Sequence, residues 1–211
     1  MIIRPFEPDD IDEVLSIEQL CFNRSDSYYR QNEDYLRRFY TTETTFVSTI
    51  KRNVIGFGTH TFPDSDPMIR FYVKRTNDYI TSDFYTIERE IKGDLYAYSR
   101  GDGPDCKVFY EQFPNEFNDK RYKIKEKDVQ LAMMCVHPEY RRHGIGKALV
   151  KKRLESAKEQ GSIAAFVNCW DVSPSQYLYE ALGFLRIAHF GPAWADGSGT
   201  IVMGAFLEKL L

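Results

Sequence analysis

The stretch Arg141-Arg142-His143-Gly144-Ile145-Gly146-Lys147 crowds positive charge around two glycines, just ahead of the helix-like run "ALVKKRLESAKEQG". A helix N-terminus leaves several backbone N–H groups unpaired and carries the positive end of the peptide dipole. Glycines let a ligand approach that backbone closely, so the combination reads as an anion site with phosphate as the usual guest. The plainer alternative is a glycine-containing loop followed by a solvated basic helix face that includes Lys151 and Lys152. Two common phosphate motifs do not fit. A Walker loop requires glycine at position 141 and Ser or Thr after the lysine, where Arg141 and Ala148 stand. A dinucleotide fingerprint requires a third glycine at 149, which is Leu149.

The elements that must hold this turn are legible around it. "DVQLAMMCV" before it is a continuous apolar run, the mark of a strand buried on both faces. The helix after it has Ile145, Ala148, Leu149, Val150, Leu154 and Ala157 as apolar positions and Gly161 as its stop. "SIAAFVNCW" is a second buried strand. In "SPSQYLYEALGF", Ser173 is the expected N-cap, Pro174 the first helical residue, Gln176 the partner in a capping box and Gly183 the end. "LRIAHFG" and "GTIVMGAFLEKL" add two strands. Near the start, "MIIRPF" reads as a strand and "EPDDIDEVLSIEQLCF" as a helix capped by Asp9 or Asp10, with Ile11, Val14, Leu15 and Ile17 apolar. "NEDYLRRFY" reads as a short helix, and "TTFVSTIKRNVIGFGTHTF" as a hairpin turning at Arg52-Asn53. Residues 63 to about 127 are aromatic-rich: "NDYITSDFYTIEREIKG" suits a helix and "LYAYSRGDGPDCKVFYEQF" two strands. Strand–helix–strand–helix–strand indicates a mixed α/β sheet with at least one parallel pair.

The 211 residues suffice for one large domain, and a net charge of −3 argues against wholesale binding of nucleic acid or anionic membrane. Cys21, Cys106, Cys135 and Cys169 form no CxxC pair, and with four scattered histidines they suggest neither a metal site nor a disulfide framework. No run approaches the roughly 18 apolar residues of a membrane helix, and "MIIRPFEPDDIDEV" lacks a signal-type apolar core. A cytoplasmic protein with reduced thiols is expected.

The pattern R/Q-x-x-G-x-G/A is matched by Arg141, Gly144 and Gly146. "VHPEYRRHGIGKALV", followed some 30 residues later by "LYEALGF", resembles the GCN5-related N-acetyltransferase (GNAT) superfamily. The resemblance is close over roughly residues 128 to 190. It implies one GNAT domain over residues 1–211: a mostly antiparallel α/β sheet with a parallel pair splayed at an acetyl-CoA site, flanked by helices. About 63–127 would be an insertion before the fourth core strand. It further implies an acetyl-CoA-dependent N-acetyltransferase acting by direct attack of an amine in a ternary complex, without a metal. Cofactor contacts carried over by motif are Arg141, Arg142, His143, Gly144, Ile145, Gly146, Lys147 and Ala148, with the backbones of Cys135 and Val136 pairing with the pantetheine arm.

Acetyl transfer to an amine requires a neutral amine, a polarised thioester carbonyl and protonation of the leaving thiolate. By the resemblance, the Val136 amide stabilises the oxyanion and Tyr179 of "LYEALGF" is the general acid. Two features depart from relatives. The asparagine that many acetylators of peptide N-termini carry seven residues before this tyrosine is Val172 here, and "QLAMMCV" lacks the carboxylate base of histone-type relatives. The base is therefore open among Asp128, Glu180, an acid in 63–127, or water. His137, Cys135 and Cys169 are expected to be structural. "SDSYYRQNEDYLRRFY" and the aromatic-rich insertion are the expected acceptor walls, with Glu33, Asp34 and Asp83 able to attract a cation. A small-molecule amine is expected ahead of a peptide amine (protein N-terminus or lysine). A non-catalytic acyl-CoA-binding domain is the rival from another class. A homodimer through the insertion stays open.

Overall fold

The computed structural model describes residues 1–22, 36–62, 107–109, 127–191 and 198–211, with the backbone alone for 107–109 and 187–191. The chain divides into two compact units. The first comprises Met1–Thr61, Leu131–Gln160 and Leu211; the second comprises Phe62–Gln130 and Gly161–Leu210.

In the first unit, β1 (Ile2–Pro5), β2 (Thr45–Ile50), β3 (Asn53–Thr61) and β5 (Val129–Val136, from Leu131 on) lie side by side in that order. The first three are antiparallel neighbours, with Ile3 opposite Ser48 and Val47 opposite Phe57. Helix α1 (Ile11–Phe22) closes one face of this sheet: Ile11, Val14 and Ile17 pack with Val47, Val54, Phe57 and Cys135. Helix α2 (Ile145–Glu159) supplies Ile145 and Leu149 to a separate cluster with Phe46 and Ile55. β2 and β3 are therefore covered on both faces, and every residue of β3 after Asn53 is buried.

Three local expectations change. The hairpin turns at Lys51-Arg52, both with positive φ (50° and 75°), and Asn53 already belongs to β3. A two-residue loop with both residues left-handed matches the strand twist, and that geometry overrides the preference for Asn at the turn. Asp10 ends a short 3₁₀ turn, Pro8–Asp10, that precedes α1 and has Glu7 as its N-cap; the Asp10 carboxylate accepts the Glu7 N–H at 2.8 Å and an N–H from each Arg4 Nη at 2.7 Å. Within α2, Ala148 is only partly buried, whereas the unanticipated Arg153 is completely enclosed. Its guanidinium donates to Thr59 O at 2.8 Å and approaches Met134 Sδ at 3.2 Å, which is how a buried charge is accommodated.

Gly56 permits the close approach of β3 to the end of β5. A Cβ there would lie 3.0 Å from Cys135 O and 3.3 Å from the Val136 Cα, both backbone atoms that cannot swing aside. Gly56→Val is expected to cost about 1–3 kcal/mol in folding stability, as overpacking does, and to shift Val136. A urea midpoint equal to that of the unmodified protein would contradict this.

In the second unit the order runs β5 (its first residues), β6 (Ala164–Trp170), β8 (Thr200–Phe206), β7 (Leu185–Gly191) and β4 (Lys107–Phe109). β6 pairs antiparallel with β8, β8 with β7, and β7 with β4, where Lys107 faces Gly191. Lys107–Phe109 is the described part of the two strands expected around the Gly-Asp-Gly-Pro loop. The other readings for residues 63–126, and Glu33, Asp34 and Asp83, fall outside the described residues. The last expected strand ends at Phe206 and gives way to a one-turn helix, Leu207–Leu210 (α4). Among the described residues, no helix is long and apolar enough to cross a membrane and no cluster of His, Cys, Asp or Glu could hold a metal ion.

Candidate active site

The glycine-containing turn stands at the start of α2 as its spacing predicted. Arg141 through Gly144 are exposed, and Ile145 is buried and anchors the helix. Arg142 and Gly144 both have positive φ (66° and 78°), so the backbone alternates in handedness across His143. Such alternation can aim consecutive N–H groups to one side, as in anion-binding nests. The first helical N–H to find its partner one turn back is that of Ala148, on Gly144 O at 3.0 Å. The amides of Ile145, Gly146 and Lys147 have no such partner by helix geometry.

Side chains hold the turn in shape. His143 Nδ1 lies 2.8 Å from Arg141 O and 3.3 Å from Tyr140 O, as a donor to the carbonyls when that nitrogen carries the proton. His137 caps the Pro138–Tyr140 3₁₀ turn by accepting the Glu139 N–H, and its ring meets Tyr140 edge-on at 5.7 Å. That agrees with the structural role expected for it. Arg141 folds back: its Nε donates to Val136 O at 3.1 Å and its Nη2 reaches Cys21 Sγ at 3.4 Å. The turn is thereby tied to the last residue of β5.

Gly144 combines φ of +78° with open space, since nothing lies within 4 Å of a Cβ built there. A side chain would strain the backbone rather than collide with a neighbour. Gly144→Val is expected to cost about 1–3 kcal/mol of turn strain. If that strain is relieved by moving the amides, and the turn is the acetyl-CoA site that the resemblance implies, acetyl-CoA affinity falls by roughly 5- to 150-fold; unchanged affinity in a calorimetric titration would separate the turn from binding.

Val136 is the last residue of β5. His137 N–H bonds Ile55 O at 2.9 Å, on the β3 side. Since consecutive N–H groups of an extended chain point to alternate sides, the Val136 N–H points away from β3. Cys135 is 3% exposed, as expected of a buried strand residue.

The remaining expected residues belong to the second unit. Tyr179, on α3 (Ser175–Ala181), is 2% exposed and packs edge-on against Phe184 with ring centroids 5.3 Å apart. Ser173 Oγ accepts the Ser175 N–H at 3.2 Å, but the helix starts one residue later than expected, with Pro174 in the cap position and Ser175 the first helical residue. Gln176, however, turns its amide nitrogen to the carbonyls of Asp171 and Ser173 (2.8 and 3.2 Å) and does not complete a capping box. Its oxygen is engaged by Arg186 at 2.8 Å, which explains the rotation. Of the base candidates, Asp128 is buried and accepts the Ala164 N–H at 3.1 Å, a strand-fixing role. Glu180 is paired with Arg186 at 2.6 Å. Burial, opposed by a Ser175 hydrogen bond, pushes the Cys169 thiol up to about 11, in keeping with an inert residue. Val172 is exposed. Cys21, beside Val136 and Arg141, was not singled out by the sequence; only the fold brings it there.

An extended strand leading into an amide-rich, basic helix start is an arrangement suited to a phosphate-bearing ligand. The sequence model of the Acetyltransferase (GNAT) family matches residues 11–184, and the chain belongs to that family. Its fold is the mixed α/β type expected, a mostly antiparallel sheet with a parallel pair, flanked by helices. Human N-acetyltransferase 8 is 35% identical over 74 residues, which cover 34% of this chain and 33% of that protein; the match thus spans about a third of the relative's length. Solved structures agree in fold. Ard1 from Thermoplasma volcanium is 17% identical over 97% of this chain and 96% of its own, with a TM-score of 0.58. The ribosomal-protein-S18-alanine N-acetyltransferase from Escherichia coli is 15% identical, with 98% and 93% coverage and a TM-score of 0.56. The Salmonella typhimurium protein yncA, solved with its cofactor acetyl-CoA, is 13% identical, with 98% and 94% coverage and a TM-score of 0.57.

Proposed function

We propose that this protein is an acetyl-CoA-dependent N-acetyltransferase whose acceptor is a small-molecule amine, the whole chain serving as one GNAT domain. The observation that carries the reading is the turn at 141–147: partnerless helix-start amides, exposed Arg142 and Lys147, and an open Gly144. These residues fit a pyrophosphate, because a polyanion needs fixed donors on a backbone it can approach. Cys135 and Val136 would run beside an amide-bearing arm, as a strand edge does with an added strand. When bound, acetyl-CoA supplies the acetyl group as a thioester.

The chain's own residues then have three tasks. The turn fixes the phosphates, so the reacting end is positioned without cost at the moment of reaction. The Val136 amide donates to the developing oxyanion, and donors of this kind contribute about 3 kcal/mol. Tyr179 delivers a proton from its phenol to the departing sulfur. Asp128 and Glu180 are engaged elsewhere, which leaves water relaying the amine's proton or an acid in 63–127 as the base.

The test is CoA thiol release from acetyl-CoA across polyamines, amino acids, amino sugars and short peptides. Turnover on one of the first three classes is expected. Turnover on peptides alone would replace the small-molecule acceptor with a protein one. Binding of acetyl-CoA with no thiol release on any acceptor would instead favour a non-catalytic acyl-CoA-binding domain.

A further inference from the structure

Cys21 sits near the end of α1, half-buried against the end of β5. Its Sγ donates to Val136 O at 3.5 Å and lies 3.4 Å from Arg141 Nη2, and Cys21 packs against the core cluster that contains Cys135. Three groups distant in sequence thus converge on one sulfur: a second thiol, a guanidinium anchored by its own bond to Val136 O, and a backbone carbonyl. All belong to the first unit. Nothing in acetyl transfer uses the Cys21 side chain.

From this arrangement we infer that Cys21 and Cys135 form a dithiol modification site for small hydroperoxides, with Cys21 the attacking thiol, Cys135 the resolving thiol and Arg141 holding the attacking sulfur. The Cys135 hydrogen bond is the largest influence on Cys21; burial opposes it, the Arg141 charge and hydrogen bond assist, and the thiol is lowered to about 6. It is therefore mostly thiolate at neutral pH, the form that attacks. Cys169, held at about 11, is the internal contrast.

The chemistry balances. The Cys21 thiolate attacks a peroxide oxygen: an S–O bond forms, the O–O bond breaks, hydroxide leaves, and the sulfur is oxidised by two electrons to a sulfenic acid. Cys135 sulfur then attacks Cys21 sulfur: the S–S bond forms, the S–O bond breaks, and the hydroxide takes the Cys135 proton and leaves as water. The proposal goes beyond the acetyltransferase reading and does not depend on it, because its readout is the state of the thiols.

The experiment treats the full chain with equimolar hydrogen peroxide and maps cysteine-containing peptides by mass spectrometry, with and without dimedone. A Cys21–Cys135 disulfide reversed by dithiothreitol is expected, and Cys135→Ser should instead accumulate a dimedone adduct on Cys21. Iodoacetamide should alkylate Cys21 with a half-maximal rate near pH 6, and Arg141→Gln should move that midpoint toward the roughly 8.5 of a free thiol. Oxidation that begins at Cys106 or Cys169, or a Cys21 that alkylates like an ordinary thiol, overturns the proposal. The mapping of the unmodified protein alone decides it if a variant fails to fold.

Discussion

Tyr179→Phe lowers turnover by roughly 10²- to 10⁴-fold, the range that positioned proton delivery contributes, while acetyl-CoA affinity stays near that of the unmodified protein. The substitution removes one hydroxyl and keeps the ring. A phenylalanine can occupy the same 2% exposed site and keep the edge-on contact with Phe184, so α3 loses little packing. Binding is expected to be spared because the proposed phosphate donors belong to the turn at 141–147, on a different helix. A general acid acts only as the thiolate leaves, so its loss appears in kcat and not in ground-state binding. Steady-state kcat and a calorimetric Kd, measured on both proteins, check this. An unchanged kcat would remove Tyr179 from the role; a parallel loss of affinity would make it a binding or packing residue.

Folding stability falls by about 3 kcal/mol as the pH drops from 6.5 to 4, because of His60. This imidazole is 1% exposed on β3, stacked on Phe46 with ring centroids 6.3 Å apart. Burial first, and the Arg153 charge second, lower it from 6.5 to about 4. The folded chain therefore keeps His60 neutral through a range in which the unfolded chain takes up a proton. With more protons on the unfolded state, stability rises with pH across that window and is fully present above about 6.5. Asp10 acts in a different range. Burial opposes its ionisation, but the Arg4 guanidinium and the Glu7 amide hold its carboxyl below the usual value. Its contribution is present above the ordinary carboxylate pKa and is lost only as the pH falls through the lowered one. Urea midpoints between pH 4 and 7 should show the slope, and His60→Phe should flatten it. A slope that survives the substitution would assign it to another group.

The part of the molecule legible from sequence is the part specified locally. "DVQLAMMCV", the 141–147 turn and "ALVKKRLESAKE" each carry their own signals, so β5, the glycine turn and α2 stand where the pattern put them. What could not be read depends on contacts between distant residues. Arg153 looks like one more basic residue of a solvated face until Thr59, 94 positions away, supplies its acceptor and Gly58 leaves it room. Cys21 is one unremarked cysteine until α1 lays it 3.4 Å from Arg141, 120 positions on. The Gln176 capping box failed for the same reason, since Arg186 competes for its oxygen. The Lys51-Arg52 turn shows the converse, with strand twist selecting a left-handed pair that composition disfavours.

The backbone of residues 141–147 is proposed to bind the phosphates of acetyl-CoA. Calorimetric titration of acetyl-CoA into the unmodified protein at two salt concentrations tests it most directly. Saturable binding that weakens as salt rises is the expected result, because exposed Arg142 and Lys147 add screened charge to the fixed amides. No saturable heat at either concentration, in a protein that remains folded, would contradict it.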